Sequence, residues 1–111
     1  MKKEIPTTKY GNGNKKVITV SYVLIRHKVK DYDKWKRVFD ENLAFRKAGG
    51  EKGGRLFRNK DDPSEIIIIF KWDTIENARK FTESEDLKIA MQKAGVAEKP
   101  DIYFLEEVEI A

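Results

Sequence analysis

The sequence predicts an α+β domain: one four-stranded antiparallel sheet with helices on one face, in the ferredoxin-like order β-α-β-β-α-β. Two observations carry the prediction. The run Glu65-Ile66-Ile67-Ile68-Ile69-Phe70-Lys71-Trp72-Asp73 holds five consecutive apolar residues, four of them β-branched, and reads as a strand buried on both faces. Around it, segments of helical and of period-2 patterning alternate, each bounded by cap residues or by glycine and proline turns.

The first strand is expected at Val17 to Val29, marked by Val17, Val20, Val23, Ile25 and Val29. Both of its faces are apolar as far as Arg26, and its length suggests a bend or bulge. Asp31 then caps a helix that runs to about Ala48 and stops at Gly49-Gly50. Trp35, Val38, Phe39, Leu43 and Arg46 fall on one stripe of it, opposite Lys34, Lys36, Arg37, Asp40 and Glu41. Lys52 to Asn59 forms a second strand, joined through the turn Lys60-Asp61-Asp62-Pro63-Ser64 to the isoleucine strand as a hairpin. Asp73 is placed to cap the next helix, with Glu76 completing a capping box. Ser84 restarts a helix that carries Leu87, Ala90, Met91 and Ala94 inward and ends at Gly95. Pro100 precedes the last strand, Asp101 to Glu109.

Composition bounds the function. With 111 residues, 40% apolar and 38% charged, the chain fits one globular domain with a heavily charged surface. It has no apolar run of membrane-spanning length, and residues 1–16 hold no apolar stretch of a secretory signal. Cysteine is absent, which excludes disulfides, thiol catalysis and cysteine metal sites. A cytoplasmic protein is expected. The net charge of +4 resides in residues 1–16, which carry five lysines and one glutamate; residues 17–111 balance to zero. A balanced domain lacks the basic footprint of a nucleic-acid binder, and Phe57 within Arg55-Leu56-Phe57-Arg58 is the single hint of one. Residues 1–16 are therefore read as a flexible extension and residues 17–111 as the domain. Apolar residues on both faces of the first and third strands would leave a large exposed patch, and pairing of two chains through their sheets is the simplest remedy.

Several segments together resemble the dimeric α+β barrel superfamily, in particular the antibiotic-biosynthesis-monooxygenase-like domains. They are Arg26-His27-Lys28-Val29-Lys30-Asp31-Tyr32-Asp33-Lys34-Trp35, Leu56-Phe57-Arg58-Asn59 with Asp61-Asp62-Pro63, Phe70-Lys71-Trp72-Asp73 leading to Ala78-Arg79-Lys80-Phe81, and Ser84-Glu85-Asp86-Leu87-Lys88. The likeness spans about residues 17–110 and rests on their order and spacing. It implies a homodimer built as a barrel from two sheets, with a pocket between sheet and helices in each chain. It further implies a cofactor-free monooxygenase-like protein acting on a small aromatic or polyketide-like compound, or a non-catalytic ligand-binding or stress-associated dimer of the same fold. Heme-degrading members use an Asn on the first strand, a Trp after the third and a His on the following helix. Trp72 matches the second of these, but Arg26 or His27 stands in place of the Asn, and Ala90-Met91 in place of the His. No cofactor and no metal are expected.

His27, the single histidine, is the candidate base for a phenolic proton, or else a strand-end residue hydrogen-bonded at the sheet edge. Trp72 either walls an aromatic pocket or packs over the helix start. Trp35 and Phe39 stand at core spacing and in this fold can also line a pocket. The Tyr22 hydroxyl faces a pocket, solvent or a partner chain. These four are the candidate substrate-binding residues. Phe81 and Met91 read as core, Asp61-Asp62 as turn chemistry, and the glycine pairs match no phosphate loop.

Overall fold

The computed structural model describes residues 21–111. Eight elements follow in order: β1 (Ser21–Lys28), α1 (Tyr32–Glu41), α2 (Leu43–Gly49), β2 (Glu51–Arg58), β3 (Glu65–Trp72), α3 (Ile75–Thr82), α4 (Glu85–Ala94) and β4 (Asp101–Leu105). The strands form one antiparallel sheet in the order β2-β3-β1-β4, the ferredoxin-like topology. The expected extension, residues 1–16, and the expected strand residues 17–20 lie outside the described residues.

Register assigns the two faces. β1 meets β3 with Val23 opposite Phe70, Ile25 opposite Ile68 and His27 opposite Ile66. Because side chains alternate along a strand, this set shares one face, and all of it is buried beneath the helices together with Trp72. Trp35 and Val38 of α1, Ala78 and Phe81 of α3 and Ala94 of α4 close the core from above. The opposite face carries Tyr22, Leu24, Ile67 and Ile69, all half-buried, and Phe57, Tyr103 and Leu105, which are exposed. β1 and β3 are thus covered on one side by their own chain. Among the described residues, the two-sided cover read from the isoleucine run is supplied on one side only.

Local chemistry corrects several element boundaries. The first helix is two helices, broken at Asn42, whose side-chain amide and backbone N–H both donate to the Val38 carbonyl. Asparagine competes for helix carbonyls in this way, and the chain leaves helical geometry for one residue before α2 begins. The cap of α3 is Thr74 rather than Asp73. The Thr74 hydroxyl accepts the Asn77 N–H at 3.0 Å, which shifts the motif by one residue and leaves Glu76 out of it. Asp73 instead accepts from the Thr74 N–H and the Asn77 side-chain amide. Ser84 and the left-handed Gly95 bound α4 as expected. β2 runs one residue earlier than expected, with a bulge at Glu51/Gly53. β4 stops at Leu105, opposite Tyr22, four residues short of the expected end.

Gly50 has two reasons to be glycine. Its φ is +124°, and a Cβ there would overlap the Asp73 carboxylate, which the Gly50 carbonyl holds through the Asp73 N–H at 3.0 Å. Gly53 shares the positive φ, at +137°, with open space around it. Gly50→Ala should therefore lower stability by about 2–3 kcal/mol, and Gly53→Ala by about 1 kcal/mol. Thermal unfolding of the two variants side by side checks the difference; equal losses would show that Asp73 contributes nothing.

Candidate functional site

The site is a cavity between the sheet and the helix layer. Its floor is Ile25 and His27 of β1 with Ile68 and Phe70 of β3, and its walls come from α1, α2, α3 and α4. The volume is about 60 Å³ and the lining is almost wholly apolar. That holds a few waters and is several-fold smaller than an ordinary small-molecule pocket of roughly 300 Å³ or more.

His27 is the polar exception. Strand alternation places it in line with Val23 and Ile25, so a histidine occupies a core position. It is 5% exposed, and among the described residues neither ring nitrogen has a hydrogen-bond partner. Its ring lies 5.6 Å from that of Trp35. Burial among apolar groups disfavours the imidazolium and pushes the pKa down to about 4. At neutral pH the ring is uncharged, with one donor and one acceptor both unused. An unpartnered buried polar group costs about 1–3 kcal/mol, which a ligand hydroxyl or a water would recover. Among the described residues no partner forms the sheet-edge hydrogen bond considered for this residue.

An aromatic stack runs along the cavity. Trp35 stacks on Phe39 at 4.9 Å, Phe39 faces Phe70 at 6.1 Å, and Phe70 meets Phe81 edge-on at 5.8 Å. Arg46 lies over Phe39, its guanidinium 4.0 Å from the ring centre. It is 5% exposed, and its charge is met by Glu51, with Nε donating to Oε1 at 2.6 Å, while Nη1 donates to the Phe39 carbonyl at 2.7 Å. A wider groove of about 310 Å³ lies on the other side of Arg46, against Glu51, Arg55 and Leu56 of β2.

The structure brings His27, Trp35 and Phe39 together and places the other two candidates elsewhere. Trp72 is fully buried, packs its ring tilted against Phe81 at 4.9 Å, and is not part of the cavity lining. Its Nε1 has no partner among the described residues. Tyr22 points to the opposite face of the sheet, where its hydroxyl donates to Glu107 at 2.9 Å. That hydrogen bond stabilises the neutral phenol and raises the Tyr22 pKa above the ordinary tyrosine value. Phe81 and Met91, read from the sequence as core, also line the cavity. Sequence reasoning put Arg46 on the inward stripe without a role; the signal that it missed was an arginine at a core position five residues before Glu51. Among the described residues no group of three or more His, Cys, Asp or Glu side chains could hold a metal ion.

With this geometry, the chain shares its fold with solved structures named as antibiotic biosynthesis monooxygenases. Solved structures with this fold include a protein from Bordetella bronchiseptica provisionally named an antibiotic biosynthesis monooxygenase. It is 16% identical, with a TM-score of 0.69 over 82% of this chain and 99% of that one. A similarly named protein from Caulobacter crescentus CB15 is 21% identical, with a TM-score of 0.66 over 82% and 92% of the two chains. A mutant of SnoaB, a cofactor-independent oxygenase from Streptomyces nogalater, is 14% identical, with a TM-score of 0.65 over 85% and 97%. No protein-family model matches the sequence, and no curated protein does. Among the described residues no helix is long and apolar enough to cross a membrane.

The depressed basicity of His27 has a sign that stability measurements read. Between about pH 4 and pH 6.5 the unfolded chain binds a proton at this residue and the folded chain does not. Stability should therefore fall as pH drops through that window, by up to about 3 kcal/mol from His27 alone, with no contribution above it. Urea unfolding of the wild type and of His27→Phe across pH 4 to 7 isolates the effect, since other groups cancel in the difference. Parallel curves would show that His27 is not held neutral.

Proposed function

We propose that the protein is a homodimer whose cavity binds a small aromatic hydroxy compound at His27 and exposes it to O₂ without a bound cofactor. The observation that carries this reading is a buried imidazole, without a hydrogen-bond partner among the described residues, on the floor of an apolar cavity. Such a cavity admits O₂, and a single polar group in it fixes the orientation of one ligand hydroxyl. Support for the reaction type comes from the shared fold with a cofactor-independent oxygenase.

Magnitudes constrain the role of His27. A phenol with a pKa of about 10 opposite an imidazole at about 4 keeps its proton by roughly six units, or about 8 kcal/mol. In the resting complex His27 is thus a hydrogen-bond acceptor. Proton transfer becomes favourable only as the ring gives up negative charge to O₂, when the imidazolium is paired with an anion in a dry site. The same magnitude favours a second reading, a dimer that binds such a compound without turning it over.

Oxygen uptake with a panel of naphthols and anthrols separates the two. Uptake that falls by about a hundredfold in His27→Phe supports the oxygenase. Saturable binding without uptake supports the second reading, and absence of binding removes both.

The dimer is supported by the sheet face that the described residues leave uncovered. Leu24, Ile67 and Ile69 form its centre, with Phe57, Tyr103 and Leu105 around them. The Arg26 ion pairs with Glu65 and Asp101 lie on the same face. A two-fold axis through this face would pair like with like and bury the apolar centre. Sedimentation of the wild type should give the mass of two chains, and Ile67→Lys should give a folded monomer; a monomeric wild type would overturn the assembly.

A further inference from the structure

The cavity at His27 and the groove beside β2 are separate volumes that share four wall residues: Phe39, Arg46, Ile68 and Phe70. Ile68 and Phe70 belong to the sheet beneath both. What stands between the volumes is the Phe39 ring, sandwiched between Trp35 at 4.9 Å and the Arg46 guanidinium at 4.0 Å. Taken alone, neither volume is a complete site. The inner one has a free polar group but only about 60 Å³; the outer has about 310 Å³ and, in Asp40, Glu51 and Arg55, a charged wall.

We propose that the two volumes are halves of one site for a flat aromatic hydroxy compound, and that Phe39 is the partition the ligand displaces to bring its hydroxyl to His27. This rests on the reading of the inner cavity as a ligand site. Three features make Phe39 the moving part. It is half-buried, whereas Trp35 and Arg46 are 3% and 5% exposed. It sits in the last turn of α1, three residues before the break at Asn42. Arg46 is fixed from two sides, by Glu51 and by the Phe39 backbone carbonyl, so the guanidinium stays when the Phe39 side chain leaves.

The exchange is one ring for another. A ligand ring entering the vacated place stacks on Trp35 and under Arg46 as Phe39 did, so the aromatic and cation–π contacts are replaced rather than lost. The net gain is the hydrogen bond to His27 and the water expelled from the groove. Selectivity follows as well: a ring too small to bridge both halves leaves either His27 or the Arg46 face unsatisfied.

The test uses 1-naphthol as probe, with stopped-flow tryptophan fluorescence for the association rate and the His27 ring signals in NMR for its place. If the open form is populated at no more than about 10%, removing the partition speeds association by about tenfold or more. Phe39→Ala should show that gain and Phe39→Leu part of it. Should Phe39→Ala unfold, the leucine variant carries the test by itself. Binding that moves the His27 signals at equal rates in the wild type and the variants overturns the partition and leaves the inner site standing. Failure of 1-naphthol to bind or to move the His27 signals in any of the three proteins overturns both.

Discussion

The pairing of β1 with β3 fixes where everything else falls. Opposing His27 to Ile66 and Ile25 to Ile68 commits an imidazole to the same face as the densest apolar strand in the chain. A one-residue slip would move His27 to the open face and bring Arg26 and Lys28 under the helices, an exchange that no sheet tolerates with one face buried. The cost of carrying His27 inward is the price of placing a polar atom where a ligand would meet it and bulk water would not. Helices α1 and α4 then need only apolar and aromatic residues to finish the enclosure.

Three polar features lie in or beside this core, and they differ in how they are satisfied. Arg46 and Glu51 meet each other, and Arg46 also bonds a backbone carbonyl and covers an aromatic ring. Such a pair is a weak source of net stability, because desolvation offsets much of its attraction; its use is to hold α2 against the start of β2 in one arrangement. Trp72 Nε1 is unpartnered but enclosed by packing, with Phe81 against its ring. His27 alone combines missing partners with adjoining empty space. An uncompensated polar group beside a void is where natural sequences depart from the rules of good packing, and such departures concentrate at sites of function.

Much of the fold was legible in the sequence because it depends on short-range chemistry. The isoleucine run, the Ser84 and Gly95 boundaries and the turn through Pro63 each carry their signal within a few residues. Two misread boundaries, at Asn42 and at Thr74, share one cause: competition between neighbouring polar side chains that a pattern cannot rank. Asn42 could continue a helix or interrupt it, and Asp73 and Thr74 are both good caps; only the packed structure shows which wins. The site was half legible. Alternation along β1 predicted the face that His27 shares with Ile25, and helical spacing put Trp35 and Phe39 inward. That Trp72 packs away from the cavity, that Tyr22 faces the other side of the sheet, and that Arg46 is paired with Glu51 depend on tertiary geometry with no local signature.

The central claim is that His27 is held neutral and without a partner. Because this is the only histidine in the chain, its ring gives a single, unambiguous NMR signal set. A pH titration of the ring ¹⁵N and ¹³C shifts in the ligand-free protein measures the claim directly. The account predicts an uncharged ring throughout the near-neutral range and a midpoint displaced to about 4. A midpoint near the ordinary 6.5 would mean that water or a charged neighbour reaches the imidazole, and the cavity would lose its one distinguishing feature.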